Sequence, residues 1–164
     1  FTIFHEPFVA YLHQDHPLVT EQFYEMRPSD QKELLLLQDE YCYNAQLLDI
    51  CELKNDKQIK EQFSYDINSI ETLKNLVRAK LGFAILPQLS ILNEQQNPMY
   101  KPFKEPKPVR EISLVVADTF SKKLLLEKMS QAIWDSLPEE LQKGFKYKKI
   151  RWNDSPYFNK ILKG

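Results

Sequence analysis

Residues 68–87 read NSIETLKNLVRAKLGFAILP, a stretch that encodes one helix followed by one strand. Asn68 is a residue type favoured at helix N-caps, and Glu71 three positions later can reach back in a capping box. Four apolar side chains then recur at helical spacing, with the stem of Lys80 ending the same stripe: Ile70, Leu73, Leu76 and Val77. Gly82 stands where a glycine commonly ends a helix. The stretch therefore predicts a helix from Asn68 to Gly82 and a buried strand after it.

The same alternation of strands and helices runs through the rest of the chain. Short apolar or alternating runs predict strands at residues 7–12, 33–37, 62–67, 83–86 and 111–116. Helices are predicted at residues 42–53, from Pro87 onward and at residues 121–137. The last of these would bury one face, made of Leu125, Leu126, Met129, Ile133 and Leu137, and Pro138 would end it. The proline-rich residues 94–108 predict a loop or an edge segment. This order favours an α/β fold around a largely parallel sheet.

Composition and charge limit the possible functions. The chain has 164 residues, 43% of them hydrophobic, which suits one domain or one and a half with a sizeable core. The formal net charge of −1 gives the chain as a whole no electrostatic footprint for nucleic acid. Residues 142–164 nevertheless carry seven lysines and arginines against Asp154, a net +6 that leaves −7 for residues 1–141. This tail is interpreted as a solvated, partly ordered segment, or else as a contact for a polyanion.

The chain has the features of a piece of a longer cytosolic protein. No apolar run approaches the roughly 20 residues that span a bilayer. The sequence starts at Phe1 without a methionine or a charged leader segment, which argues against a signal peptide. Two cysteines are too few for a secreted disulfide scaffold, so a cytoplasmic location without a membrane partner is expected.

Cys42 and Cys51 are the most informative pair of side chains. If residues 42–53 are helical, nine residues place the two thiols on opposite faces and about 13–14 Å apart along the axis. A disulfide needs Cα atoms within about 7 Å, so a bond between them would require the helix to melt and refold. Two discrete structures, and hence a redox switch, follow from that geometry. The alternative is that both cysteines are simply small buried side chains.

Other candidate chemistry is sparse. A helix start at Cys42 would favour its thiolate, whereas the neighbouring Asp39 and Glu40 would disfavour it. His5, His13 and His16 show no metal-ligand spacing and are interpreted as ordinary surface or turn histidines. Asn68 and Ser69 at a helix start form a generic anion site, or simply a cap. No glycine-rich loop or hydrolase motif occurs, so no catalytic residue, metal or cofactor is predicted.

Several segments in a fixed order carry a resemblance to a known family. From His5 to Leu137 the chain resembles the effector domain of LysR-type transcription regulators. The matching segments are EPFVAY (6–11), DHPL (15–18), LLLL (34–37) before the cysteine helix, NSIETL (68–73), GFAILP (82–87) and REISLV (110–115). Each of these is a weak signal, and their order and spacing together are fairly specific.

The resemblance implies an α/β fold like that of type II periplasmic binding proteins, with two lobes joined by two crossing strands. Residues 1–5 would end the first lobe, residues 6–117 would form the second lobe with both cysteines, and residues 118–164 would return to the first lobe and add the basic tail. The N-terminal part of the first lobe would be missing. The resemblance further implies a homodimer or homotetramer without enzymatic activity, which contacts DNA through a helix-turn-helix domain outside this chain.

Within that family the spacing of the cysteines resembles the OxyR subgroup of hydrogen-peroxide sensors, as does Gln46. By this resemblance Cys42 would be the peroxidatic cysteine, oxidised to a sulfenic acid, and Cys51 would be the resolving cysteine that closes the disulfide. The chain departs from the subgroup at three positions. Tyr41 stands where a histidine is expected before the first cysteine, and Asn44 and Ala117 stand where arginines are expected.

Two other functions are compatible with the same residues. A small-molecule inducer could bind in the cleft between the lobes, lined on this side by Tyr41, Asn44, Asn68 and Ser69. A stand-alone solute-binding protein would share the fold. A cysteine-dependent enzyme would need a histidine or a cation beside Cys42, which the sequence does not place there.

Overall fold

A long strand at the start of the chain organises the molecule. The computed structural model describes residues 1–37, 42–51, 67–94 and 99–150. Strand β1 (Thr2–Tyr11) is ten residues long, and its side chains are buried from residue 6 to its end. Such a continuous apolar run is typical of a strand covered on both faces.

The other elements follow in chain order. The further strands among the described residues are β2 (Ala84–Pro87), β3 (Tyr100–Pro102), β4 (Lys107–Ser113) and β5 (Tyr147–Lys149). The α-helices are α1 (Cys42–Ile50), α2 (Ile70–Arg78), α3 (Lys123–Asp135) and α4 (Glu139–Gln142). In the same ranges, 3₁₀ helices lie at Pro17–Thr20, Pro28–Glu33 and Gln88–Glu94.

The sheet is mainly antiparallel in the described part of the chain, so the predicted largely parallel sheet is wrong. The strand order is β2-β1-β4-β5, and β3 also pairs with β1. Strand β1 runs antiparallel to β2, β3 and β4, whereas β4 and β5 are parallel. Within the described ranges, the other parallel pairings are the isolated bridges Tyr24–Phe103 and Leu34–Phe83. The physical reason is that β1 takes returning strands on both of its edges.

One apolar core surrounds the second half of β1. The residues that β1 contributes to it are Phe8, Val9, Ala10 and Tyr11, and Leu12 directly after the strand is also part of it. Side chains from α1, α2, β2 and the loops complete it, including Tyr43, Leu47, Leu73, Val77, Ile85 and Leu86. At roughly 25 cal/mol per Å² of buried apolar surface, this cluster is the main source of the free energy of folding.

Helix α2 confirms the predicted helix but shifts both of its ends. The N-cap is Ser69 rather than Asn68, because the Ser69 hydroxyl accepts a hydrogen bond from the Thr72 amide at 3.1 Å. The helix ends at Arg78. Lys80, with φ 63°, takes the left-handed position, and the amides of Lys80 and Leu81 bond back to Val77 and Leu76. Lys80 therefore leaves the apolar stripe, and its ammonium lies 2.5 Å from Asp15.

Gly82 has a different role from the predicted one. It lies beyond the end of α2 and has φ 153°. A Cβ atom at this position would overlap the backbone oxygen of Glu33. The amide of Phe83 donates to that same oxygen at 2.9 Å. Only glycine lets the two segments approach this closely.

Other predicted boundaries also move. The predicted strand 33–37 is reduced to the Leu34 bridge after a 3₁₀ helix. Pro87 ends β2, and the helix predicted from Pro87 onward is a 3₁₀ helix that begins one residue later, at Gln88. Strand β4 starts four residues before the predicted strand 111–116, inside the proline-rich segment that also contains β3. The shifts at β2, β3 and β4 reflect pairing with β1, and Leu34 pairs with Phe83. Local patterns do not encode such long-range contacts.

Helix α3 buries less than its apolar stripe predicts. It packs against β1 and buries Leu126, whereas Leu125 and Met129 are about half exposed. Ile133 and Leu137 are only partly buried. The predicted core face is therefore covered along only part of its length.

The described residues of the tail are partly ordered, in agreement with the first interpretation of this segment, and the side chains of β5 are exposed. Strand β5 pairs in parallel with β4 at Lys107, Pro108 and Val109, and Lys149 binds Glu111 at 2.9 Å. Residues 151–164 lie outside the described part, as do residues 52–66, which contain most of the predicted strand 62–67. The lobe boundaries drawn from the resemblance remain predictions. No helix among the described residues is long and apolar enough to cross a membrane.

A buried lysine ties α2 to β1 and to the segment after β2. The Lys74 ammonium contacts Glu71 at 2.8 Å, Glu94 at 3.1 Å and the Ser90 carbonyl at 2.6 Å. Tyr11 donates to Glu94 at 2.6 Å. Burial would raise the pKa of Glu94, but the hydrogen bonds from Tyr11 and Lys74 outweigh it and hold that pKa below its usual value.

Replacing Gly82 by alanine is expected to destabilise the fold by more than about 1 kcal/mol, because the new methyl group meets backbone and the φ angle is unfavourable. Urea unfolding measures the effect. Gly144→Ala is the matched control, since nothing lies within 4 Å of its added Cβ. Equal stabilities of the two variants would contradict this role of Gly82.

Glu94→Gln is expected to lower the free energy of unfolding at pH 7 by about 1–2 kcal/mol, because two hydrogen bonds lose their charged acceptor. The folded pKa of Glu94 lies below the usual 4.5, so its contribution is present above pH 4.5 and is lost as the pH falls through the folded value. Urea unfolding at pH 7 and pH 3 should show the difference from wild type shrinking in acid. Glu71→Gln, at an exposed carboxylate, should have little effect at either pH.

Candidate functional site

The cysteine helix matches its predicted position. Helix α1 begins at Cys42 and ends at Ile50, and Cys51 follows in a turn. The Cys51 amide still donates to the Leu47 carbonyl at 2.9 Å, so helical bonding reaches the second cysteine. Cys51 is a free thiol with 3% of its surface exposed. Nine helical residues at about 1.5 Å each keep the two Cα atoms too far apart for a disulfide.

One face of α1 is inserted into the core. Tyr43, Leu47 and Cys51 are spaced four residues apart, which aligns them on a single stripe, and all three are buried. The Tyr43 ring packs on Phe8 of β1 with centroids 6.4 Å apart. By helical geometry the Cys42 position lies on the face opposite this stripe, and its side chain is outside the described ones.

Burial controls the chemistry of Cys51. Removal from water raises the pKa of this thiol to about 12, since the thiolate loses its hydration. The nucleophilic form of a cysteine is the thiolate. In this conformation Cys51 is therefore a poor nucleophile, and any reaction at its sulfur requires the end of α1 to open.

Tyr43 is the polar residue that shares the buried helix stripe with that thiol. Burial raises the pKa of its hydroxyl, the Arg110 guanidinium opposes the shift and Cys51 adds to it. The hydroxyl oxygen is fully buried and has no hydrogen-bond partner among the described residues. An unsatisfied buried hydroxyl is uncommon and calls for a physical explanation.

A buried ion pair that the sequence did not reveal lies at the middle of β1. Glu6 is fully buried, and it accepts hydrogen bonds from Arg110 of β4 at 2.7 Å and from the Leu89 amide at 2.8 Å. The only local signal was a carboxylate at the edge of an apolar strand. Arg110 is also the cation that opposes the rise in the pKa of the Tyr43 hydroxyl.

Two of the predicted cleft residues, Asn44 and Ser69, have separate structural roles. Asn44 is buried, and its amide donates to the Leu37 carbonyl at 2.5 Å. Ser69 caps α2, and Asn68 next to it is exposed. Tyr41 lies outside the described residues. A shared ligand cleft for these four side chains remains a prediction.

The histidines are mostly structural in the described part of the chain. The His16 Nδ1 atom accepts from the Leu18 amide at 3.2 Å, which explains the predicted turn. His5 stacks on Tyr147 of β5 at 4.5 Å. No group of three or more histidine, cysteine or acidic side chains within the described ranges could hold a metal ion.

A pocket of about 370 Å³ opens at the C-terminal end of α1. Its apolar walls include Tyr24, Met26, Ile50 and Phe103, and Lys148 and Lys149 of β5 lie at its rim. Sequence patterns could not have indicated it, because its lining comes from four separate segments.

Known proteins resemble this chain across most of its length. The hydrogen peroxide-inducible genes activator of Haemophilus influenzae is 31% identical over 137 residues, which are 82% of this chain and 44% of that protein. The DNA-binding transcriptional dual regulator OxyR of Escherichia coli K12 is 29% identical over 133 residues, 80% of this chain and 43% of that protein. The chain thus spans less than half the length of these curated relatives.

Solved structures confirm the predicted α/β fold, which is like that of type II periplasmic binding proteins. OxyR from Porphyromonas gingivalis matches with a TM-score of 0.71 and 25% identity, over 92% of this chain and 69% of that one. The reduced OxyR regulatory domain from Pseudomonas aeruginosa matches with a TM-score of 0.66 and 25% identity, over 82% and 64%. The model of the LysR substrate binding domain matches residues 1–138. The chain therefore belongs to the LysR substrate-binding-domain family.

Proposed function

We propose that this chain is the regulatory domain of a LysR-type transcription regulator that senses hydrogen peroxide through a Cys42–Cys51 thiol–disulfide switch. The observation that carries the proposal is the placement of the two cysteines at the two ends of helix α1, with Cys51 a free and buried thiol. The names of relatives such as the hydrogen peroxide-inducible genes activator support the choice of signal.

The proposed chemistry proceeds in two steps. The Cys42 thiolate attacks one oxygen of hydrogen peroxide, the O–O bond breaks, and a sulfenic acid forms while hydroxide leaves and is protonated to water. The Cys51 sulfur then attacks the Cys42 sulfur, the S–O bond breaks, and the disulfide forms as water leaves.

Opening of α1 is the conformational step that connects these reactions. Cys51 is buried with its pKa raised to about 12, so it cannot attack until the helix end leaves the core. The disulfide also needs the two Cα atoms to come within about 7 Å. Oxidation therefore disrupts the packing of α1 while a covalent bond forms. The dithiol and disulfide forms are the two structural states that a regulator needs.

A small-molecule inducer is the second candidate signal. It is favoured by Tyr41, Asn44 and Ala117, where peroxide sensors would place a histidine and two arginines. Without those cations the thiolate of Cys42 depends on the start of α1 for its stabilisation. Inducer binding in the cleft near Asn44 and Ser69 would then operate the same domain without thiol chemistry.

The assembly and the location are part of the proposal. The regulator would act in the cytoplasm as a homodimer or homotetramer and would bind DNA through a helix-turn-helix domain outside this chain. The relative from Escherichia coli is named a DNA-binding regulator, which supports that arrangement.

Mild hydrogen peroxide is expected to remove two free thiols per chain in the wild-type protein, because sulfenic acid formation at Cys42 is followed by disulfide closure. Thiol counting and mass spectrometry of the linked peptides measure this. In Cys51→Ser a sulfenic acid should persist on Cys42, and Cys42→Ser should keep its remaining thiol. Two intact thiols after treatment of the wild type would refute the redox switch and leave inducer binding.

Cys51 is expected to resist alkylation by iodoacetamide in the folded reduced protein and to react fully in urea, because it is buried with a pKa raised to about 12. Mass spectrometry after timed quenching measures the modified fraction. The comparison is made in Cys42→Ser, so that Cys51 is the sole thiol. Equally rapid labelling in the folded and unfolded states would contradict the buried placement.

A further inference from the structure

We propose that the unpartnered hydroxyl of Tyr43 biases helix α1 toward opening and thereby shifts the Cys42–Cys51 equilibrium toward the disulfide. The inference rests on the proposed thiol switch and assigns to Tyr43 a positioning role in it. The residue does not take part in the covalent steps.

The first observation is the environment of the Tyr43 hydroxyl. Its oxygen is fully buried without a hydrogen-bond partner in the described part of the chain. Arg110, whose charge acts on this hydroxyl, donates a hydrogen bond to Glu6 at 2.7 Å. A buried polar group that has lost water without gaining a protein partner costs free energy that a phenyl ring would not.

The second observation is the contrast with two other buried tyrosines of the core. Tyr11 donates to Glu94 at 2.6 Å. Tyr24 lies 3.1 Å from both Asp30 and the Met26 sulfur. Among these three core tyrosines, the unsatisfied hydroxyl belongs to the one that lies on the cysteine helix.

The third observation connects this hydroxyl to the cysteines. Tyr43 directly follows Cys42 and shares the buried stripe of α1 with Leu47 and Cys51. Because the two Cα atoms are nine helical residues apart, the disulfide can form only if this helix unwinds. Unwinding at the first turn gives the Tyr43 hydroxyl access to water, so its desolvation cost applies to the dithiol state and is relieved in the disulfide state.

The equilibrium can be measured with a thiol–disulfide buffer that balances the reaction. The dithiol domain transfers two electrons and two protons to glutathione disulfide, so one intramolecular disulfide and two glutathione molecules form. Stabilising the dithiol state alone lowers the equilibrium constant of this reaction.

Tyr43→Phe tests the inference. The variant should lower the equilibrium constant for disulfide formation by between about fivefold and about a hundredfold, from the usual cost of one unsatisfied buried group. It should also raise the urea midpoint of the reduced protein. The matched control is Tyr24→Phe, which removes a hydroxyl that has partners and should not raise that midpoint.

The results expected for the proposed role of Tyr43 differ from those expected for the thiol switch itself. A wild-type domain that never forms the disulfide in the buffer refutes the thiol switch, and the coupling to Tyr43 falls with it. A wild-type domain that forms the disulfide, with Tyr43→Phe unchanged in its equilibrium constant or lowered in its reduced-state midpoint, overturns the role of Tyr43 and leaves the switch intact.

Discussion

Strand β1 is hydrogen-bonded to β4 through its first half and to β2 and β3 through its second. Every described strand except β5 pairs with it directly, and β5 pairs with β4. Buried backbone groups need partners, so a strand that enters the core this deeply has to satisfy both of its edges. This requirement is met by partners on both edges of β1, with β2 on one edge and β4 on the other.

The same strand supports the candidate site. Phe8 provides the surface on which Tyr43 packs, and Glu6 holds Arg110 in place through a fully buried carboxylate. A buried ion pair offers little net stability by itself, but removing one partner leaves an uncompensated charge in the core. Glu6 and Arg110 therefore fix the relative position of β1 and β4, while the Leu89 amide ties the segment after β2 to the same carboxylate.

Helix α1 has to be packed in the reduced state and able to open during oxidation. Its stripe of Tyr43, Leu47 and Cys51 is buried, which keeps the Cys51 thiol protonated and unreactive. A switch also requires that this packing be reversible, and elements that move in regulation are drawn from the less stable parts of a fold. A nine-residue helix that carries an unsatisfied hydroxyl in its first turn meets both demands.

The sequence alone determined the helix at α2, the position of α1 between the two cysteines, and the family through the order of its motifs. These features are local or depend on spacing along the chain, such as the apolar stripe from Ile70 to Val77. Tertiary structure alone decided the antiparallel sheet, the close approach that requires Gly82, the shift of the cap to Ser69 and the pairing of Glu6 with Arg110. It also decided that the Tyr43 hydroxyl is buried without a partner, because hydrogen-bond satisfaction depends on side chains brought together from distant segments.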